Sequence, residues 1–483
     1  MRVAVPRPES VRRHGTLVVV LAAVVLTVVA SYFSKAPCFG PPYDEQGSSA
    51  NFENRHRLVC YSDVQMLWLG RGIVTKTFPY VDAHRDAADG PPGAMLDGAY
   101  EYPVLTGLFI WVTSLPAHDE GQYVAWTTLA LAPFGLLAGF LLALLARRRA
   151  LIFAAAPAMV FYTSYNWDLL VVGLTVAAVF AWQRRRPGLC AVLLGLGAAA
   201  KIYPGFLLLP LTIERLVARD VRGAIRVAVL GAGSWLAVNL PFTVINFDGW
   251  WATYAFQGSR TADLTTNSVY FWGFPDLSPT TVNVLSITLI AVSWAGIVAL
   301  GWFSRTAPSQ YPWLQVGAAM LCAFLLFNKV YSPQYFLWVQ PFLVLVRVRW
   351  GWWVAYWIID AVLFLGINRL FHDSGHLASQ AAVLGVWTKS VILLLLMVAF
   401  VRAPLVFTRQ AARTGQAARA GQAALTGQSG APETGRRCTL LGEGSGSPVR
   451  RGAAPSCRAR RLSSADPATG REGWRWSRVH RSW

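Results

Sequence analysis

What most constrains this chain is a repeated unit: an apolar run on the scale of a bilayer, closed by arginines. Runs at 16–34, 122–146, 168–183, 223–245, 281–303, 350–367 and 381–401 are bordered by clusters such as Arg147-Arg148-Arg149, Arg184-Arg185-Arg186, Arg347 with Arg349, and Arg402. About 20 apolar residues cross a hydrocarbon core as a helix. Backbone polar groups in lipid have to pair within their own segment, so continuous runs of this kind are helices, whereas barrel strands alternate. Only 14% of residues are charged and the mean hydropathy is +0.41. Soluble domains carry roughly 25% charged residues, so one aqueous core could not hide these side chains.

The expectation is an all-α polytopic membrane protein of about twelve transmembrane helices, the count open by two because several arms are short for a span. Arginines mark the cytoplasmic side. That places residues 1–15 and both termini in the cytoplasm and residues 16–402 in the plasma membrane as a multi-pass domain. Run 16–34 is a first transmembrane helix or a signal peptide, with Val28-Val29-Ala30 as a weak cleavage site. The net charge of +19 looks like a nucleic-acid signature until it is located. Residues 403–483 hold 14 Arg, no Lys and 4 acidic residues, a net +10 of that excess. This Ala/Gly/Arg/Ser-rich tail cannot bury a core and is expected to be disordered. With no nucleic-acid recognition motif, the expected partner is the bilayer.

A polar segment, 35–103, separates the first run from the rest, and a connection this long is usually functional. The basic start being inside, this segment is extracytoplasmic. Its centre is Cys60-Tyr61-Ser62-Asp63-Val64-Gln65 and its end is Tyr100-Glu101-Tyr102-Pro103. Cys38 and Cys60 both fall here, in an oxidising compartment. Spacing leaves open whether their Cα atoms approach to the ~5.5 Å a disulfide needs. Residues 104–117 are short for a span and suit a helix lying in the interface or re-entering it. Residues 188–214 form a hairpin with Lys201-Ile202-Tyr203-Pro204 at its apex. Its arms cover only about 20 Å at 1.5 Å per residue, so the apex is expected below the surface, in a cavity. A second outer loop spans 246–280. The five lysines, Lys35, Lys76, Lys201, Lys329 and Lys389, all map outside or near outer helix ends, while the inner clusters use Arg.

Among candidate chemical groups, Asp63 is the expected catalytic base, because it sits in an apolar frame of Val59, Tyr61, Val64, Met66, Leu67 and Trp68 rather than on a free loop. A carboxylate within hydrogen-bond reach can take the proton of an attacking hydroxyl. Glu101, ahead of Pro103, either complements a helix N-terminus or touches substrate. Lys201 and Lys329 at two apices, with Arg260 and Arg369 on neighbouring loops, either snorkel to the interface or hold a phosphate. Asn166 and Asp168 suit a helix N-cap more than a sugar contact. His372 is a polar contact candidate. His372 and His376 do not form a metal pair with Ser374 and Gly375 between them. Asp360, inside an apolar run, is expected to pair with a neighbouring helix. No Walker A, GxGxxG, HExxH or GxSxG element stands in a usable context, which argues against a cytosolic nucleotide-sugar donor.

The order and spacing of Ser62-Asp63-Val64, Glu101-Tyr102-Pro103, Tyr165-Asn166-Trp167-Asp168, Lys201-Ile202-Tyr203-Pro204 and Asn328-Lys329-Val330-Tyr331-Ser332-Pro333-Gln334-Tyr335 resemble the polytopic GT-C glycosyltransferases. Within them the resemblance is to glycosyltransferase family 87, the polyprenyl-phosphate-mannose-dependent mannosyltransferases, over about residues 15–402. It implies inverting transfer of a mannose-like sugar from a lipid-linked sugar phosphate to an envelope glycan or glycolipid. Asp63 would be the base, and Glu101, Asn166, Asp168, Lys201, Arg260, Lys329, Gln334, Arg369 and His372 would be substrate contacts. Gln65 stands where a second acid would complete a DxD element, so neither a metal nor a further cofactor is expected. The competing expectation is a secondary transporter or lipid flippase, since two similar helix breaks on two hairpins are a transporter feature.

Overall fold

The structure is a computed structural model that describes residues 9–84, 95–373 and 375–407. Most of the arginine-rich tail, and the start of the N-terminal segment, lie outside the described residues. Among the described residues the chain is all-helical, without strands. In chain order the helices are α1 (Glu9–Lys35), α2 (Asp63–Gly70), α3 (Val104–Ser114), α4 (Glu120–Ala146), α5 (Leu151–Ala154), α6 (Pro157–Tyr162), α7 (Asp168–Gln183), α8 (Pro187–Ala200) and α9 (Tyr203–Phe206). They continue as α10 (Leu208–Val217), α11 (Val221–Ile245), α12 (Phe247–Ser259), α13 (Val269–Gly273), α14 (Pro279–Phe303), α15 (Trp313–Phe327), α16 (Phe336–Leu345), α17 (Trp350–His372) and α18 (His376–Arg402).

Among the described residues six segments are long and apolar enough to cross a membrane: His14–Cys38, Glu120–Ala154, Val221–Ile245, Pro279–Phe303, Trp350–His372 and His376–Arg402. About twelve had been expected. The difference lies in paired arms such as α7, α8 and α15, which are apolar but only 14 to 16 residues long. Large apolar side chains stand exposed on the long helices, among them Leu26, Val244, Val292 and Leu377. Water would not leave such a belt uncovered; lipid tails satisfy it at no cost.

The turns sort into two ends. At one end Arg149 donates to the carbonyls of Leu343 and Val344, Arg347 N donates to Pro404 O, and Trp182 packs on Trp313. This end collects the arginine-rich turns. At the other end lie the 35–84 segment, the Tyr165–Trp167 turn, the Lys201 break and the Asn328–Pro333 turn. The lysines follow this division; Lys389 lies midway along α18 and not at a helix end, but its ammonium reaches Asn267 O and the Tyr331 ring at the cavity end.

Segment 35–84 is an ordered layer rather than a free loop. Cys38 and Cys60 form a disulfide with Cα atoms 5.8 Å apart. Buried Glu120 accepts from Ser49 N at 3.0 Å and from Gln65 Nε2 at 2.7 Å, tying the layer to the start of α4. Asn246 caps α12 through Gly249 N (3.0 Å) and reaches across to the carbonyls of Val81 and Ala83. A side chain at Gly249 would collide with the Tyr80 carbonyl, so only glycine permits this approach. Helix α3 is largely buried against α4 and α8. Asp360 pairs across helices, accepting from Tyr162 Oη at 2.6 Å.

Candidate active site

The site starts at the N-terminus of α2, where the first backbone N–H groups of a helix lack intrahelical acceptors. Here Asp63 N and Val64 N both donate to Tyr165 O, at 2.9 and 3.3 Å, and Ser62 Oγ donates to Ser164 O at 2.7 Å. Val64, Leu67 and Trp68 bury the other side of α2 against Tyr102, Tyr123 and Trp167. Position 63 is thus pinned by main chain from a turn about 100 residues away. An acid at the first helical position also suits the positive end of the helix dipole.

The Asp63 carboxylate accepts from Tyr61 Oη (2.9 Å) and Asn166 Nδ2 (2.7 Å), and Gln334 Nε2 stands 3.5 Å away. Burial raises its pKa from 3.8 to about 6, opposed by the hydrogen bonds from Asn166 and Tyr61. Such a carboxylate is ionised near neutrality yet more basic than a surface acid, as a general base requires.

Behind it lies a second polar set. Asn166 Nδ2 also donates to Tyr102 Oη (2.8 Å), while its Oδ1 accepts from Trp167 N and from Lys201 Nζ (3.2 Å). Lys201 Nζ donates to Asp168 Oδ1 at 2.7 Å, and Trp338 Nε1 donates to the same oxygen at 2.6 Å. The Lys201 ammonium lies 5.3 to 5.6 Å from the rings of Tyr102, Tyr335 and Trp338. Asn166 and Asp168 are fully buried and make no side-chain N-cap; they join Asp63 to Lys201. Neither lines the cavity, so a direct sugar contact from either is not what this arrangement offers.

That cavity, of about 820 Å³, opens over Asp63. Glu101, Lys201, Arg260, Lys329 and Gln334 share its wall. Glu101 is paired with Arg71 and does not cap α3. Arg55, Arg260 and Lys329 have no carboxylate partner among the described residues. Burial and the nearby Arg260 charge both lower the pKa of Lys329. Arg369 and His372 are exposed and lie outside the wall; their neighbours Asn368 and Phe371 line it instead. Their place one turn apart near the end of α17 turns them away. The sequence argument also missed Arg55, Tyr61, Tyr102, Tyr335 and Trp338 as site residues. Tyr61, Tyr102 and Tyr335 lie inside motifs already singled out, whereas Arg55 and Trp338 carried no such signal.

In this half-polar cavity the carboxylate can accept a proton from a bound hydroxyl, while the cations of the same wall, which have no carboxylate partner among the described residues, can hold an anionic leaving group. No curated protein matches the chain. Residues 100–328 match the model of glycosyltransferase family 87. This match covers four of the five motifs in whole or in part and leaves Asp63 outside it. Over residues 100–328 the chain is therefore similar to glycosyltransferase family 87, in an all-helical protein with helices long and apolar enough to cross a membrane.

Proposed function

We propose that the protein transfers a mannose-like sugar, with inversion, from a polyprenyl phosphate carrier to a hydroxyl of an envelope glycan or glycolipid at the outer face of the plasma membrane. Asp63 takes the proton of the acceptor hydroxyl. The acceptor oxygen bonds to the sugar C1, the C1–O bond to phosphate breaks, and its electron pair leaves on the polyprenyl phosphate. Arg260 and Lys329 receive the growing charge, which preorganised cations stabilise best in a site of low dielectric. The single observation that carries this reading is Asp63, half-buried and hydrogen-bonded, in one cavity with cations that lack carboxylate partners among the described residues. Its volume falls within the roughly 300–1,000 Å³ of small-molecule sites. The arginine-rich turns gather at the opposite end of the bundle, which supports an outer location for the cavity.

A secondary transporter or lipid flippase is the second reading, favoured by the helix breaks at Lys201 and at Asn328–Ser332 facing one cavity. The test is the purified chain in vesicles with radiolabelled polyprenyl phosphomannose. Label appearing in a sugar acceptor supports transfer; ion-gradient-driven movement of label without transfer supports the rival.

Two further results are expected. Transfer should fall as pH drops through about 6, the value to which burial raises Asp63. The sign follows from the role: only the carboxylate accepts a proton, so activity is full above that pH and declines tenfold per unit below it. A flat profile between pH 5 and 8 would exclude Asp63 as the base. The orientation is checked with Glu45→Cys, an exposed position, since Ser62 is buried. With Cys438 and Cys457 replaced by Ser, a membrane-impermeant maleimide added to whole cells should label it. Labelling only after permeabilisation would put the layer in the cytosol.

A further inference from the structure

Asn267, between α12 and α13, is built unlike its surroundings. It lines the cavity, is 1% exposed, and neither its amide nitrogen nor its amide oxygen has a hydrogen-bond partner among the described residues. Burying an unpaired amide costs about 1–3 kcal/mol per group. Its backbone lies at φ +42°, a region where side-chain-bearing residues are strained. Residues held in such conformations persist only when their surroundings over-determine them, and they cluster at ligand sites.

Those surroundings are specific. The Lys389 ammonium, buried inside α18, donates to Asn267 O at 2.8 Å and stands 3.6 Å over the Tyr331 ring. Among the described residues Lys389 has no carboxylate partner. On the other side of the residue, Tyr331 N donates to Thr266 O at 2.9 Å. A charge taken out of water with no counter-charge is costly. Here it fixes one carbonyl, in the residue whose side chain is left open. Gln334, whose amide nitrogen faces Asp63, likewise keeps its Oε1 buried and unpaired in the same wall.

We infer that Asn267 is a sugar-recognition residue: its amide donor and acceptor take two adjacent hydroxyls of a pyranose held beside Asp63, with Gln334 Oε1 accepting from a third. Lys389 is its positioning residue. This rests on the sugar-transfer reading, and it adds which groups read the sugar. An amide presents one donor and one acceptor side by side, which a vicinal diol matches and a bare phosphate, having only acceptors, does not.

The experiment uses the full chain in nanodiscs, with ligand binding followed by tryptophan fluorescence. Three probes are titrated: decaprenyl phosphomannose, decaprenyl phosphate, and methyl α-mannoside with decaprenyl phosphate present. The variant is Asn267→Gly, which suits a positive φ without strain. It should keep or raise the thermal midpoint, which a merely structural asparagine would not. It should weaken decaprenyl phosphomannose about 10- to 100-fold, the effect of leaving buried polar groups unpaired, with decaprenyl phosphate unchanged. That pattern assigns Asn267 to the donor sugar. A matching loss confined to methyl α-mannoside assigns it to the acceptor sugar. Asn267→Asp, which keeps the size but loses the donor, should be intermediate. Wild-type affinities for all three probes in Asn267→Gly would overturn the inference while leaving the transfer reading standing. A wild-type chain that binds decaprenyl phosphate no better than decaprenol would overturn the transfer reading itself.

Discussion

Asp63→Asn is expected to lower transfer from polyprenyl phosphomannose by about 10²–10⁴-fold, the range for removing a general base, with the chain still folded and still binding the lipid donor. The substitution keeps the shape and changes the proton chemistry. Tyr61 can go on donating to the side-chain oxygen, but Asn166 Nδ2, now 2.7 Å from the second carboxylate oxygen, would meet an amide donor. That loses one buried hydrogen bond, about 1 kcal/mol, well below what is needed to unfold the layer. The measurement pairs initial transfer rates with thermal unfolding in the same detergent. An unchanged rate in a folded variant would remove Asp63 from the chemistry, and the account of the cavity with it. A lost rate accompanied by a collapsed midpoint would show a structural role instead.

The second large effect is on stability. Lys201→Met alone is expected to destabilise the protein by about 3–5 kcal/mol, the range for breaking a buried ion pair by removing one partner. Asp168 is fully buried and Lys201 nearly so, and the 2.7 Å contact is the single charged partner of Asp168 among the described residues. Without the ammonium, the carboxylate is left with Trp338 Nε1 as its donor and an unpaired second oxygen. Combining Lys201→Met with Asp168→Asn removes both charges and should recover most of the loss. The two unfolding midpoints test this; a single variant as stable as the parent would mean the pair is not what holds the break between α8 and α9. Transfer is expected to stay impaired in the double variant. Lys201 Nζ also orients Asn166, and Asn166 orients Asp63.

Local pattern was enough for Asp63, Glu101, Lys201, Arg260, Lys329 and Gln334, each of which enters the cavity wall. All six flank a helix break or a helix end in an otherwise apolar chain, where a polar residue has few places to go. It was not enough for Asn166 and Asp168. Their position before an apolar run suggests a cap, but a cap needs only local backbone, and these two side chains are claimed by Lys201, about 35 residues on. Arg369 and His372 failed for the same reason in reverse: the turn they sit on is near the cavity, but the phase of α17 points its neighbours inward. Asn267 was invisible, because an unpaired amide is a property of what surrounds it.

The sequence alone determined the class of solution. Apolar runs of this length exclude an aqueous core, and backbone pairing in lipid leaves helices as the answer. It also determined which segments carry polar chemistry, because charges in such a chain are expensive and therefore few. Only the tertiary structure decided how those segments meet. The Tyr165 carbonyl anchors Asp63, the 35–84 segment packs down as a layer over the bundle, and buried Lys389 braces Asn267. Contacts between residues 100 or more positions apart depend on helix packing and phase, which no short stretch of sequence encodes.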